Sequence, residues 1–215
     1  MYTPPSFQVD DFEKLCDFIE ENSFGILVSS RDDQPSATHL PLLIDRKTGG
    51  QGEIVGHMAI ANSQWKEFSD QEVLVIFRGP HTYISPTWYE SKNVVPTWNY
   101  TAVHVRGTLR VTQDSDDLLD IVRRYVDFYE QDLPNPWELQ NADDDFVAQL
   151  LKGIVGFRIE IQSLEGKFKL SQNHDDNRRR GVIDALNSQS GENQLKIAKL
   201  MQATLGDVAD ECTKT

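Results

Sequence analysis

From residue 24 to residue 111 the chain repeatedly runs through a few apolar or alternating residues and then breaks at a turn-forming cluster, and that rhythm limits the folds open to it. FGILVSS (24–30) ends in RDDQPS, and ATHLPLLID (37–45) ends in TGGQGE. IVGHMAIAN (54–62), EVLVIFR (72–78), a piece around Tyr83 and TAVHVRGTLRV (101–111) follow. Each run has strand length, and in the last Val103 and Val105 alternate with His104 and Arg106, the pattern of a half-buried strand. Gly107 inside that run marks a bulge or a close backbone approach. Hairpin-length connections join antiparallel neighbours, whereas parallel pairing needs crossovers of a dozen residues or more. The expected architecture is therefore mainly β, an antiparallel barrel or sandwich, with helices at its periphery (α+β).

The helices are legible by their 3.6-residue period. Phe12, Leu15, Cys16 and Ile19 share one face, with Asp10 and Glu13 spaced as a capping box. A second helix is expected over 116–131, a third from Asp143, and a further strand over 155–163. RGVIDAL and LKIAKLMQATL read as two amphipathic helices near the C-terminus. We expect a barrel domain over 1–172 and a helical extension over 173–215 packed on it.

Composition excludes several function classes. The longest apolar runs are about five residues, such as Val73 to Phe77, far short of the ~20 needed to span a bilayer. The N-terminal MYTPPSFQVDDFEKL carries acids where a signal peptide needs a basic and then an apolar region. Cys16 and Cys212 stand far apart without metal-ligand spacing. The expectation is a cytoplasmic protein with no membrane contact. A formal charge of −13 disfavours a chain that grips nucleic acid by neutralising many phosphates. The one basic cluster is Arg178-Arg179-Arg180, directly after Asp175 and Asp176. No Gly-rich nucleotide loop, nucleophile elbow or HExxH pair is present, and the five histidines are dispersed, so no metal site is expected.

Five of the chain's ten tyrosines and tryptophans (Tyr83, Trp88, Tyr89, Trp98 and Tyr100) fall within residues 79–107. Such rings suit a flat heterocyclic cofactor, whose orientation a few polar groups fix. Thr38, Asn62, Ser63, Lys66 and Arg78 lie at strand ends where a phosphate could be held. The same rings also suit the packed mouth of a barrel or a subunit interface.

MYTPPSF, ATHLPLLID, GHMAIAN followed by QWK, GPHTYISPTWY, VPTWNY and GIVGFRIEIQSLEGKFKLSQN together resemble the PaiB family of FMN-binding negative transcriptional regulators, over residues 1–186. The resemblance implies an antiparallel FMN-binding split β-barrel, of the class of the pyridoxamine-phosphate oxidases, followed by C-terminal helices. It implies a homodimer with FMN at the subunit interface. It further implies a cytoplasmic repressor, known in bacilli for restraining protease production and sporulation genes, with DNA or a regulatory protein as partner. Carried onto this sequence, it lays the backbone of Ala37, Thr38, His39 and Leu40 along the flavin ring. His57, Met58, Ala59, Asn62, Ser63, Trp65 and Lys66 then supply ring and phosphate contacts, and Trp98 and Asn99 approach the ring edge from the partner subunit. Lys169 is a phosphate or partner contact, unless KLSQN simply ends a strand ahead of a helix capped by Asn173 or Asp175. The helical tail with Arg178, Arg179, Arg180, Lys196 and Lys199 is the one DNA-facing candidate. Two other readings remain open: a flavin-dependent oxidoreductase with His39, His57 and Tyr100 near its chemistry, and a haem-binding split barrel with histidine as axial ligand.

Overall fold

A computed structural model of the chain describes residues 1–89 and 93–205; Glu90 and Cys212 lie outside them. Strand β1 (Gln8–Val9) and helix α1 (Phe12–Glu21) lead into β2 (Phe24–Arg31), β3 (Gln34–Pro41), β4 (Leu43–Asp45) and β5 (Glu53–Ala59). Helix α2 (Gln64–Phe68) precedes β6 (Glu72–Ile84) and β7 (Thr97–Thr112). Then come α3 (Ser115–Glu130), α4 (Asp144–Leu151), β8 (Ile154–Lys169), α5 (Asp176–Asn187) and α6 (Glu192–Ala203). The strands follow the order β3-β2-β6-β7-β8-β5-β4, with β1 on β8. The pairings β1–β8, β2–β3, β2–β6, β4–β5 and β5–β8 are antiparallel. The path ends at β3 on one side and β4 on the other, so hydrogen bonds do not close it. The antiparallel α+β architecture of a split barrel is thus the observed one.

The chain divides into two compact units. The larger comprises Asp11–Phe77 and Val103–Glu165; the smaller comprises the described residues of Met1–Asp10, Arg78–Ala102 and Gly166–Thr215. The boundary expected after residue 172 does not coincide with this division. The C-terminal helices cluster with the N-terminal segment and with the ends of β6, β7 and β8, because their apolar faces need a sheet face to cover.

In the larger unit, alternate residues of the strands point inward: Leu27, Ile54, Val75, Phe77, Val103, Val105, Phe157 and Ile159 are all buried. Helix α1 turns Leu15, Cys16, Phe18 and Ile19 inward. Its N-cap is Asp11, whose carboxylate accepts from the backbone N–H of Lys14. Asp10, the residue expected there, instead accepts from the Gln8 side chain. On α1's outer face Glu13, Asp17 and Glu20 converge on one guanidinium, that of Arg46. Helix α3 lays Ile121 and Tyr125 over Leu43 and Val55. Gly107 makes the close approach expected of it: a Cβ there would collide with the backbone carbonyl oxygen of Glu160.

Three elements depart from expectation. The run 37–45 is two strands, because the chain turns at Leu42, whose N–H reaches back to Ser23 O. QWKEF, lacking a helical period long enough to read, forms the short helix α2. Strand β8 continues through LEGKFK to Lys169, since Phe168 faces the core while Lys167 and Lys169 take the other face.

In the smaller unit α5 and α6 bury Val182, Ile183, Leu186, Ile197, Ala198 and Met201. Asp175 caps α5 through Arg178 N–H, which settles the end of KLSQN as a strand leading to a capped helix. Arg179, in the middle of the basic cluster, is buried and donates to Asp176 and Thr204. Arg178 pairs with Asp175. The cluster is therefore not a continuous basic surface, and Arg179 serves the fold.

Candidate functional site

The strand β3 and the turn after β5 are separated by more than twenty residues, yet one hydrogen-bond network joins them. The Thr38 hydroxyl donates to Gln64 Oε1 at 2.6 Å and accepts from Asn62 Nδ2 at 3.0 Å. The backbone N–H of Gln64 donates to Asn62 Oδ1 at 2.9 Å. Gln64 Nε2 is shared among Ser29 Oγ, Leu27 O and Ser36 O. Gln64 is the hub: it is buried, and its amide satisfies groups from β2 and β3 at once. A buried amide with unmet groups would cost about 1–3 kcal/mol, so this network fixes the turn against the strand. Gln64 was not singled out from the sequence, because nothing in a lone glutamine beside QWK signals partners on strands some thirty residues earlier.

Around this hub the predicted residues separate. Ala37 and His39 are exposed on one face of β3, and His39 neighbours the Phe24 ring on β2. Ala59, Ser63 and Lys66 are exposed along the turn, and Trp65 is half-buried. The Trp65 indole N–H donates to Ile60 O, and Lys66 Nζ lies 5.3 Å from the indole ring. β3 ends the strand path, so among the described residues its side away from β2 carries no ladder partner, although Gln64 Nε2 reaches Ser36 O.

Other expected residues are placed elsewhere. The side chains of Leu40 and Met58 are in the core. His57 turns its ring against Tyr125 of α3 at 4.9 Å, so it lines the underside of a helix instead of offering a ring contact. Its Nδ1 is buried without a hydrogen-bond partner among the described residues. Burial alone pushes the His57 pKa below its ordinary 6.5. Trp98 and Asn99 belong to the smaller unit. Trp98 is exposed, but the Asn99 amide is fully buried and spent on Ser171 Oγ and Met201 Sδ. A contact from that amide to a partner subunit would require it to leave these bonds.

The His57 environment has a pH consequence. The unfolded chain binds a proton at this imidazole near pH 6.5, where the folded chain resists it. Stability is therefore unaffected above that pH and falls as the pH drops through it. His57→Phe is expected to flatten the dependence of urea midpoints between about pH 5 and 6.5. An unchanged slope would show that His57 protonates freely in the folded state.

Backbone groups on an edge strand, a hydroxyl, one ammonium and an indole make a donor set for a flat, phosphate-bearing ring. The residues fit FMN: the edge of β3 for the ring, Ser63 and Lys66 for the phosphate. Comparison with solved structures finds the same fold in other proteins. The flavocytochrome Anf3 of Azotobacter vinelandii aligns with a TM-score of 0.56 at 13% identity, covering 81% of this chain and 74% of that one. An FAD- and haem-binding protein of Mycobacterium smegmatis aligns with a TM-score of 0.53 at 14% identity, covering 80% and 78%. At such identities the likeness is one of fold.

Sequence similarity is more specific. Residues 1–163 match the family model described as "Putative FMN-binding domain". The protease synthase and sporulation protein PAI 2 of Bacillus subtilis is 38% identical over 206 residues, which are 95% of this chain and 98% of that protein. The chain belongs to this FMN-binding PaiB family, and FMN is its cofactor.

Proposed function

We propose that the chain is a cytoplasmic, homodimeric, FMN-binding regulator of the PaiB kind that lowers transcription of its target genes. The observation that supports the flavin site is the network through Gln64, which ties the turn carrying Ser63 and Lys66 to strand β3. The regulatory role is supported by the sporulation protein of Bacillus subtilis, similar over nearly the whole length of both chains. When bound, FMN supplies electron transfer; the protein's part is to hold the ring along β3, keep one face from water and neutralise the phosphate. An oxidoreductase would need an acid–base group beside the ring, and His39 is the exposed titratable group on β3. A negative charge of −13 and an arginine run divided by the buried Arg179 favour action through a protein partner over direct grip on DNA.

Two measurements on the full-length protein test this reading. Purified protein given excess FMN and then desalted is expected to show a flavin spectrum, one FMN per chain, with a light-scattering mass of twice 24.5 kDa. Colourless protein after that treatment overturns the flavin site, and a monomeric mass overturns the homodimer. A Soret band on reconstitution with haem in place of FMN would transfer the assignment to haem.

A further inference from the structure

The smaller unit has a second cluster of chemistry on the outer face of its sheet. β6, β7 and β8 are adjacent there, and side chains alternate across them. Thr82, Ile84, Asn99, Thr101, Phe168 and Leu170 point to one side and are buried, with Asn99 reaching Met201 of α6. The opposite side carries His81 and Tyr83 from β6, Trp98 and Tyr100 from β7, and Lys167 and Lys169 from β8.

The rings on this side are ordered but open. Trp98, 52% exposed, stacks on His81 with centroids 6.0 Å apart and planes 20° apart, and meets Tyr83 edge-on at 6.3 Å. His81 Nδ1 is buried and has no hydrogen-bond partner among the described residues.

Lys167 is unusual for its depth, and Lys169 beside it is half-buried. Lys167 is only 9% exposed; its Nζ donates to Tyr2 O at 2.9 Å and lies 5.4 Å from the Tyr100 ring. Lys169 Nζ donates to Thr97 Oγ1 and Trp98 O, both at 2.6 Å. Among the described residues neither has a carboxylate partner. Charged side chains this deep are almost always paired. An ammonium has three donors, so Lys169 keeps one beyond its two acceptors, and Lys167 keeps two beyond its carbonyl. Burial, reinforced by Lys167, lowers the Lys169 pKa, a cost that an arriving anion would remove.

We propose that this face binds a compact planar anion, an aromatic ring bearing a carboxylate or phosphate, stacked on Trp98 with its charge turned to Lys167 and Lys169. The chain's net charge of −13 repels a long polyanion but leaves a single anionic group free to reach two local cations. The inference goes beyond the flavin site, whose Ser63, Lys66 and β3 edge belong to the larger unit, and stands without it. The ligand has two sources, FMN itself or a separate aromatic anion such as an effector of the regulator.

Calorimetric titration of the flavin-free full chain with salicylate and adenosine 5′-monophosphate tests the proposal. We expect saturable binding of at least one of these, about tenfold or more weaker for uncharged adenosine, and weakened about tenfold or more by Lys169→Gln. Trp98→Leu, at a half-exposed position, is expected to weaken it while leaving the melting temperature in place, which keeps the test valid if the lysine variant unfolds. A separate FMN titration of flavin-free protein distinguishes the sources. FMN affinity lost in both variants identifies FMN as the ligand; FMN affinity retained, with salicylate or nucleotide binding lost, identifies a separate anion. Three results overturn the proposal: neither variant altering the binding of salicylate, adenosine 5′-monophosphate or FMN, no saturable binding of any of these three anions, or tighter binding of a thymidine oligonucleotide than of the small anions.

Discussion

Gly107→Ala is expected to lower the melting temperature by about 6–12 °C, the effect of roughly 3 kcal/mol in a protein of this size. The added methyl would overlap the carbonyl oxygen of Glu160 and crowd the Ile159 side chain. Side chains can rotate away from a new methyl, but a carbonyl inside a strand moves only with its strand. β7 and β8 would have to separate locally, with loss of the ladder between them. Gly50→Ala is the control, since a Cβ there meets nothing within 4 Å. Equal melting temperatures for the two variants would show that the strands do not approach closely at Gly107.

Lys66→Ala is expected to weaken FMN binding by roughly 10- to 100-fold while leaving riboflavin binding within about twofold. A charge-assisted hydrogen bond to an anion contributes about 1.5–3 kcal/mol, and riboflavin lacks the phosphate that receives it. The Lys66 side chain is exposed with its ammonium over the face of Trp65 and is not one of the groups bonded in the Gln64 network, so its removal leaves that network whole. A parallel loss of riboflavin affinity would mean that Lys66 acts on the ring or on the fold. No loss of either would place the phosphate elsewhere.

Most of the strand positions could be anticipated because turn signals and period-2 alternation are local properties of the chain. That is why β2, β3, β5 and β7 are found close to the positions expected for them. The far half of β8 was not legible: Glu165, Lys167 and Lys169 give LEGKFK a polar look. In the structure Lys167 and Lys169 cover one sheet face with their stems while Phe168 fills the core on the other. Helix caps erred by one residue, Asp11 for Asp10, since either aspartate satisfies the same spacing rule. The site was legible in part. Residue types and the resemblance brought forward the β3 edge, Ser63 and Lys66, but they could not tell which side chains of β5 face a helix. His57 therefore belongs under α3, and Gln64, which no local pattern marks, holds the site together.

Cys16 sits on the inward face of α1, fully enclosed, and burial pushes its thiol up to about 11. Only the thiolate attacks peroxides, disulfides or electrophiles. At neutral pH this sulfur is thus held in its unreactive form as well as shielded, and it opens to oxidants only when the first helix lifts from the sheet. The folded protein is therefore not expected to sense oxidants through Cys16.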